Sequence, residues 1–172
     1  MSYQIDDLRR FIEESNHIEG KHDTVSPAEF QAYERFLELD EIKIADILAL
    51  AACVPLDRPA ALRNLPGMDI VVGDHRPQPG GPEIPGMLAE LLVKVNDPDI
   101  QARHAMTTDV HVAYETLHPL MDGNGRTGRA IFLWMDHRAG RRRVWKIGFQ
   151  HEWYYRTLGL VRGLHRSKSN HA

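Results

Sequence analysis

The sequence has little of what marks a secreted, membrane-bound or nucleic-acid-binding protein. Cys53 is the only cysteine among 172 residues, which excludes a disulfide framework, and its place in an apolar run predicts a small buried side chain. No apolar run is long enough to cross a membrane, and the first 14 residues carry too many charges for a signal peptide. The formal net charge of −3 gives no reason to expect binding to nucleic acid or to an anionic membrane. We therefore expect a cytoplasmic protein with neither nucleic acid nor a membrane as its partner.

The length of 172 residues fits one domain with a sizeable core. Apolar residues recur at helical spacing along most of the chain, whereas only residues 68–72 have the pattern of a strand. Prolines and glycines follow that run and prevent a regular sheet. The sequence predicts a single all-α domain over residues 1–172 with one small β-hairpin. The predicted helices are residues 3–19, 26–39, 41–54 (expected to be the most buried), 85–96, 98–117, 126–140 and 151–164, with a flexible tail at 166–172.

One stretch, residues 118–129, gathers a large share of the reactive side chains and reads HPLMDGNGRTGR. Gly123, Asn124 and Gly125 form a run in which positive φ angles let successive N–H groups turn inward around an anion. The residues that follow have a helical pattern, so the same anion would meet the positive end of a helix dipole. The stretch therefore predicts a phosphate-binding site.

The charged side chains of this stretch have the chemistry that a polyphosphate ligand requires. Arg126 and Arg129 lie three residues apart on one helix face, which directs two guanidinium groups toward the same ligand. Asp122 is placed to hold Mg²⁺, an ion that binds a few carboxylates together with phosphate oxygens. His118 accepts a proton near neutral pH. Together these residues fit the transfer of a nucleotide to a hydroxyl group.

The stretch resembles the signature of the Fic family, His-Pro-Phe-x-Asp-Gly-Asn-Gly-Arg-x-x-Arg. It departs from that signature only at Leu120, where the family usually has Phe. Leu keeps the position apolar, and we expect it to face the core. The resemblance implies a Fic-type helical domain with a small β-hairpin flap, which transfers AMP from ATP to a Ser, Thr or Tyr hydroxyl of a target protein. Self-modification and a homo-oligomer remain open.

The family pattern also implies a role for each signature residue. His118 would take the proton from the target hydroxyl as that hydroxyl attacks the α-phosphorus of ATP. Asp122 would hold Mg²⁺ between the α- and β-phosphates, so that pyrophosphate can leave. Arg126 would contact the β-phosphate and Arg129 the γ-phosphate. The α- and β-phosphates would be held by Gly123, Asn124 and Gly125.

A second pattern lies at the end of the first predicted helix. Glu19 places a negative charge where it opposes the helix dipole, which a cationic partner elsewhere in the fold would offset. Gly20 is a natural helix stop, and Ser15 shares a face with Glu19. These three residues match the Ser/Thr-x-x-x-Glu-Gly/Asn pattern of Fic proteins with an inhibitory helix, here residues 3–20. The resemblance implies that Glu19 pairs with Arg129, blocks the γ-phosphate and keeps the enzyme inactive.

Residues 68–76 lie where Fic proteins carry a β-hairpin flap ahead of the signature. The family's flap docks a target segment as an added strand, through main-chain hydrogen bonds that tolerate many target sequences. His75 lies in this segment and is interpreted either as a contact to nucleotide or target, or as a solvated loop residue.

Other functions remain open at this point. One is a Fic enzyme with another donor, although Gly125 favours nucleotide transfer because phosphate-transferring relatives usually have Lys there. Another is removal of AMP from a modified target, with Glu19 positioning a water molecule. A third is a non-catalytic nucleotide-binding module, against which an intact His118 argues. The basic run at residues 141–143 is interpreted as a helix end and not as a nucleic-acid site.

Overall fold

The computed structural model describes residues 5–73 and 75–141, which form seven helices. These are α1 (Ile5–Ile18), α2 (Pro27–Leu37), α3 (Ile44–Ala51), α4 (Ile84–Val95), α5 (Pro98–Ala102), α6 (His104–Leu117) and α7 (Asn124–Arg138). The predicted all-α class is confirmed. None of these seven helices combines the length and the apolar character needed to cross a membrane. The predicted helix at 151–164 and the tail at 166–172 lie outside the described residues.

The core is built around α7. Twelve of its 15 residues are buried, and Trp134 is fully enclosed, with its indole Nε1 donating to Leu39 O at 2.9 Å. Helices α1, α2, α3, α5 and α6 all pack against it. The prediction that residues 41–54 form the most buried helix is wrong, because α3 is short and only three of its residues are buried. Small residues in α7 allow neighbouring helices to approach it closely. At Gly128, an added Cβ would overlap the carboxylate of Glu115 on α6.

The single helix predicted for residues 98–117 is two helices. Arg103 has extended backbone angles, φ −105° and ψ 104°, and separates α5 from α6. The Gln101 amide donates to Val95 O at 2.9 Å, which holds α5 against the end of α4. Neither proline nor glycine marks the break, so the helical periodicity continues through it and the sequence signals for a helix end are missing.

The end of α1 is fixed by a hydrogen-bonded glycine cap. Gly20 has φ +71°, its N–H donates to His17 O, and the N–H of Lys21 donates to Asn16 O, both at 3.0 Å. This is the Schellman arrangement, which satisfies carbonyl groups that a helix leaves without partners. The predicted stop at Gly20 is confirmed, and Glu19 is fixed as the last residue before the left-handed turn.

The predicted hairpin at residues 68–76 is not seen in the part of this segment that the structure describes, residues 68–73 and 75–76. The pairing seen there is an isolated bridge between Val72 and His75, closed by N–H···O bonds of 3.0 and 2.9 Å. Pro77 and Pro79 lack N–H groups, so they cannot extend a ladder beyond this turn. The described residues of this segment thus show one bridge and no named strand.

Candidate functional site

Residues 118–123 connect α6 to α7 and are anchored through their middle. Leu120 is fully buried, as predicted, and forms an antiparallel bridge with Leu62. Main-chain bonds of 2.9 Å on either side of that bridge join residues 61–63 to residues 119–121. The buried Leu120 thus fixes the loop, and the residues before and after it line one cleft.

His118 ends α6 in a left-handed backbone conformation, with φ 50° and ψ 61°. That conformation costs an L-residue other than glycine about 1 kcal/mol, so contacts around it must hold it in place. Ring Nδ1 lies 3.3 Å from Glu115 O. A Nδ1–H that donates to this carbonyl leaves the basic lone pair at Nε2. The imidazole lines the cleft, as a base acting there must.

The run Gly123-Asn124-Gly125, which is predicted to bind phosphate, contains one left-handed residue. Gly123 has φ +84°, whereas Asn124 and Gly125 already belong to the first turn of α7. The buried Asn124 side chain bridges Leu120: its Oδ1 accepts from Leu120 N–H and its Nδ2 donates to Leu120 O, each at 2.8 Å. The side chain therefore shapes the loop. What Asn124 offers to an anion is its main-chain N–H at the start of the helix.

We expect Asn124→Ala to lower both the stability of the fold and nucleotide binding in the cleft. The substitution leaves the buried N–H and C=O of Leu120 without partners, at a cost of about 2–4 kcal/mol. Asn96 offers a matched control, because its amide bridges Ile42 N–H and O at 2.8 and 2.9 Å and does not line the cleft. Chemical denaturation should show losses for Asn124→Ala and Asn96→Ala alike. Equal nucleotide binding by the two variants would contradict the loop-shaping role of Asn124.

Asp122 accepts hydrogen bonds from three main-chain N–H groups. Its Oδ2 accepts from Asp57 at 2.7 Å and Arg58 at 3.0 Å, and its Oδ1 accepts from Gly123 at 2.6 Å. Arg126 Nη2 lies 3.5 Å from the same Oδ1. Among the residues that the structure describes, no group of three or more His, Cys, Asp or Glu side chains could hold a metal ion. A Mg²⁺ held by Asp122 would therefore take its other ligands from phosphate and water, which is the coordination it prefers.

The two arginines of the signature have different partners. Arg126 is buried and its Nη1 donates to Pro55 O, in the loop that follows α3. Arg129 is buried and faces α1: its Nε donates to Ser15 Oγ and its Nη2 to Ser15 O, both at 2.9 Å. The predicted convergence of both guanidinium groups on one place is thus absent in this structure.

Glu19 meets Arg129, the partner that the family pattern implies. Glu19 Oε1 lies 2.7 Å from Arg129 Nη2, with the two side chains 33% and 6% exposed. Gly125 makes room for this contact, because a Cβ there would overlap the Glu19 carboxylate. The cap at Gly20 and the bonds of Arg129 to Ser15 hold the last turn of α1 against the start of α7.

A second polar contact holds α1. Asn16 Nδ2 donates to Glu29 Oε1 at 3.0 Å, and both side chains are buried. Ser26 caps α2 by accepting from Glu29 N–H at 3.1 Å, as serine at an N-cap commonly does, but the Glu29 carboxylate turns toward α1 and away from the cap. Burial raises the pKa of Glu29, opposed by the bond from Asn16 and by the charge of Arg126.

Glu29→Gln is expected to remove a pH dependence from the stability of the fold. A carboxyl group with a raised pKa in the folded state binds its proton more tightly there. Its ionisation therefore lowers the free energy of unfolding as pH rises from its ordinary pKa of 4.5 through the raised value. Denaturation measured between about pH 4 and 8 should show this decline for the wild type and not for Glu29→Gln. Glu90→Gln, on the exposed face of α4, should keep the wild-type profile. Parallel profiles for wild type and Glu29→Gln would contradict the prediction.

The signature loop, the end of α1 and residues 69–72, 76, 77 and 79 surround a cleft of about 800 Å³. The predicted site residues that line it are His118, Asp122, Gly123, Asn124, Gly125 and Glu19. Arg126 and Arg129 do not line it and are buried. His75 does not line it either, because its Nε2 lies 2.9 Å from Thr116 O. The cleft is large enough for a nucleotide and exposes one imidazole and two carboxylates from the predicted set.

Sequence reasoning missed residues that hold this site from outside the signature. Arg63 is fully buried and its Nε donates to His118 O at 2.7 Å. The N–H groups of Asp57 and Arg58 orient Asp122, and Glu29 anchors Asn16. A lone arginine and two loop amides belong to no motif. Only the buried glutamate of an incomplete capping box could have been suspected from local sequence.

A model of the Fic/DOC family matches residues 67–135 of this chain. The fold is similar to that of a Fic-domain-containing signaling protein from Bacteroides thetaiotaomicron, with TM-score 0.64 and 17% identity over 90% of this chain and 71% of that one. It is also similar to Fic-1 from C. elegans, in a form with a glutamate-to-glycine substitution. There the TM-score is 0.65 and the identity 20%, over 94% of this chain and 59% of that one. No curated protein matches the sequence.

Proposed function

We propose that this chain, a member of the Fic/DOC family, transfers AMP from ATP to a hydroxyl group of a target protein. The observation that carries the proposal is the convergence of His118, Asp122 and the start of α7 on one cleft. A base, a carboxylate for a hard cation and free helix N–H groups are the parts that transfer of a nucleotidyl group needs.

ATP fits the cleft by the chemistry of its lining. The triphosphate would lie at the start of α7, where the N–H groups of Asn124 and Gly125 and the positive end of a 15-residue helix favour negative charge. Asp122 would hold Mg²⁺, which when bound neutralises phosphate charge. Arg129 would contact the terminal phosphate once Glu19 no longer occupies its Nη2.

The reaction uses His118 as the base. The target hydroxyl gives its proton to Nε2 while its oxygen forms a bond to the α-phosphorus of ATP, and the bond from that phosphorus to the bridging oxygen of pyrophosphate breaks. On the other edge of the ring, Nδ1 lies 3.3 Å from the Glu115 carbonyl oxygen, which orients the imidazole. The products are AMP esterified to the protein and pyrophosphate.

The target segment would dock along residues 68–76. Val71 is 57% exposed, and residues 69–72 line the same cleft as His118. An extended peptide can bond to exposed main-chain groups of such a segment, with little dependence on its own sequence. A protein target is therefore the proposed partner, and the chain itself is a further candidate for modification.

The Glu19–Arg129 pair supports an enzyme that is held inactive. A carboxylate 2.7 Å from Nη2 occupies the donor that the γ-phosphate would use and places a negative charge beside it. A nucleotide could still enter, but with its phosphates displaced from the position that aligns the α-phosphorus. Activation would require Glu19 to leave Arg129.

A second candidate function is removal of AMP from a modified target. Glu19 lines the same cleft as His118, so its carboxylate is placed to orient a water molecule for attack on the phosphodiester. Glu19 would be needed for AMP removal, whereas it would suppress AMP transfer. Release of AMP from a modified protein by wild type and not by Glu19→Gly would favour this candidate.

The test of the main proposal uses Glu19→Gly with Mg²⁺ and a cell lysate, in parallel reactions with α-labelled and γ-labelled ATP. Label on protein from the α-labelled reaction alone supports AMP transfer. Label from the γ-labelled reaction alone would show transfer of the terminal phosphate and contradict the proposal. ATP binding without label in either reaction would indicate a binding module.

A further inference from the structure

Arg63 is a buried cation whose guanidinium is bonded by main-chain carbonyl groups. It is fully buried, its Nε donates to His118 O at 2.7 Å, and its Nη2 donates to Leu117 O at 2.9 Å. Both carbonyls belong to the end of α6, where the helix supplies no N–H for them. A cation at this position is also favoured by the helix dipole. The end of α6, with the left-handed His118, is thus held by one side chain from outside the signature.

The same guanidinium closes the loop that lines the cleft. Its Nη1 donates to Gln78 O at 2.8 Å and to Met68 O at 3.4 Å. The two carbonyls belong to Met68 and Gln78, the residues on either side of the loop 69–77. Gly80 adds to this closure: its N–H donates to Asp69 Oδ1 at 2.8 Å, and a Cβ there would lie 2.6 Å from Met68 O. The two ends of the loop and the base are therefore attached to a single rigid group.

We propose that Arg63 is a positioning residue that sets the distance between the base His118 and the target-docking loop. The inference rests on the proposed function, in which His118 takes the proton and residues 68–76 dock the target. A guanidinium has donors in a fixed planar fork, so bonds to both elements keep them in one relative position. An acceptor hydroxyl on the docked segment would then reach Nε2 without a search through loop conformations.

The experiment compares Arg63→Lys with Arg138→Lys, both in the Glu19→Gly background. Lysine keeps the charge but lacks the fork, so it cannot reach all four carbonyls. Arg138 is exposed, pairs with Asp40 at 3.4 Å and lies outside the cleft, which makes it the matched control. We expect Arg63→Lys to lower label transfer from α-labelled ATP about 100-fold, with ATP affinity from calorimetry changed by less than about threefold. Arg138→Lys should change neither. Equal losses of transfer and ATP affinity would indicate a general structural role and overturn the proposal.

Hydrogen exchange gives a readout that does not depend on activity. In Arg63→Lys the amides of residues 68–81 should exchange about tenfold faster, while those of α2 and α3 stay unchanged. If the Glu19→Gly parent transfers no label, the proposed function fails, and hydrogen exchange alone decides whether Arg63 holds the loop. Unchanged exchange of residues 68–81 would overturn the inference whatever the activity.

Discussion

Glu19→Gly is expected to raise AMP transfer about 10- to 100-fold. The carboxylate now accepts a charge-assisted hydrogen bond from Arg129 Nη2 at 2.7 Å. Such a bond contributes about 1.5–3 kcal/mol, and each 1.4 kcal/mol corresponds to a factor of ten in rate. Without the carboxylate, the guanidinium is available to the γ-phosphate and ATP no longer meets a negative charge at that point. Label transferred from α-labelled ATP, with Mg²⁺ present, measures the gain.

The fold should survive this substitution because it removes one carboxylate and leaves the helix docked. Asn16 remains bonded to Glu29, and Ser15 remains bonded to Arg129 through both its hydroxyl and its carbonyl. Glu38→Gly is the matched control: Glu38 ends α2 as Glu19 ends α1, it is exposed, and it does not line the cleft. That variant should transfer as little as the wild type. Unchanged transfer by Glu19→Gly, with ATP shown to bind, would contradict the inhibitory role.

The helices could be predicted from sequence wherever a local signal specifies an end. Ser26 followed by proline starts α2, and Gly20 ends α1 with a positive φ that glycine adopts without strain. The break at Arg103 could not be predicted, because the spacing of apolar residues continues through it as in one helix. The bond from the Gln101 side chain to Val95 O that accompanies the break has no signal in the sequence. The burial of α7 was equally hidden, since it follows from the close approach of other helices to small residues and not from hydropathy alone.

The site shows the same division between local and long-range information. Residues 118–129 could be assigned to phosphate chemistry from their types and spacing, and they do start the helix at the cleft. The partner of Glu19 could be named only through a family resemblance, because 110 residues separate it from Arg129. Arg63 could not be named at all. Its role depends on four carbonyl groups brought together by the fold, and no pattern in a single sequence encodes such a set.

His118→Ala in the Glu19→Gly background is expected to lower AMP transfer by about 10²- to 10⁴-fold, the range that general base catalysis contributes. The imidazole is placed for this role by the left-handed end of α6 and by Glu115 O, 3.3 Å from Nδ1. In the tautomer whose Nδ1–H donates to this carbonyl, Nε2 is the basic nitrogen. ATP affinity should stay nearly constant, because the N–H groups at the start of α7 and the Asp122 carboxylate are unaffected. Initial rates of label transfer and calorimetric ATP binding, measured on the same preparations, separate the two effects.

The matched control is His137→Ala, at the last turn of α7 and outside the cleft. It should transfer label at the rate of the Glu19→Gly parent. A loss of ATP binding in His118→Ala, parallel to the loss of transfer, would mean that the imidazole holds the nucleotide and is not the base. Transfer that persists at the parental rate would mean that the hydroxyl loses its proton to another group, and the cleft is lined by five carboxylates: Glu19, Asp57, Asp69, Glu115 and Asp122. Because Glu19 is already absent in the parent, persistence would leave the other four carboxylates. Of these, Asp122 already accepts bonds from three main-chain N–H groups, Asp57 pairs with Lys21, and Asp69 accepts from Gly80 N–H.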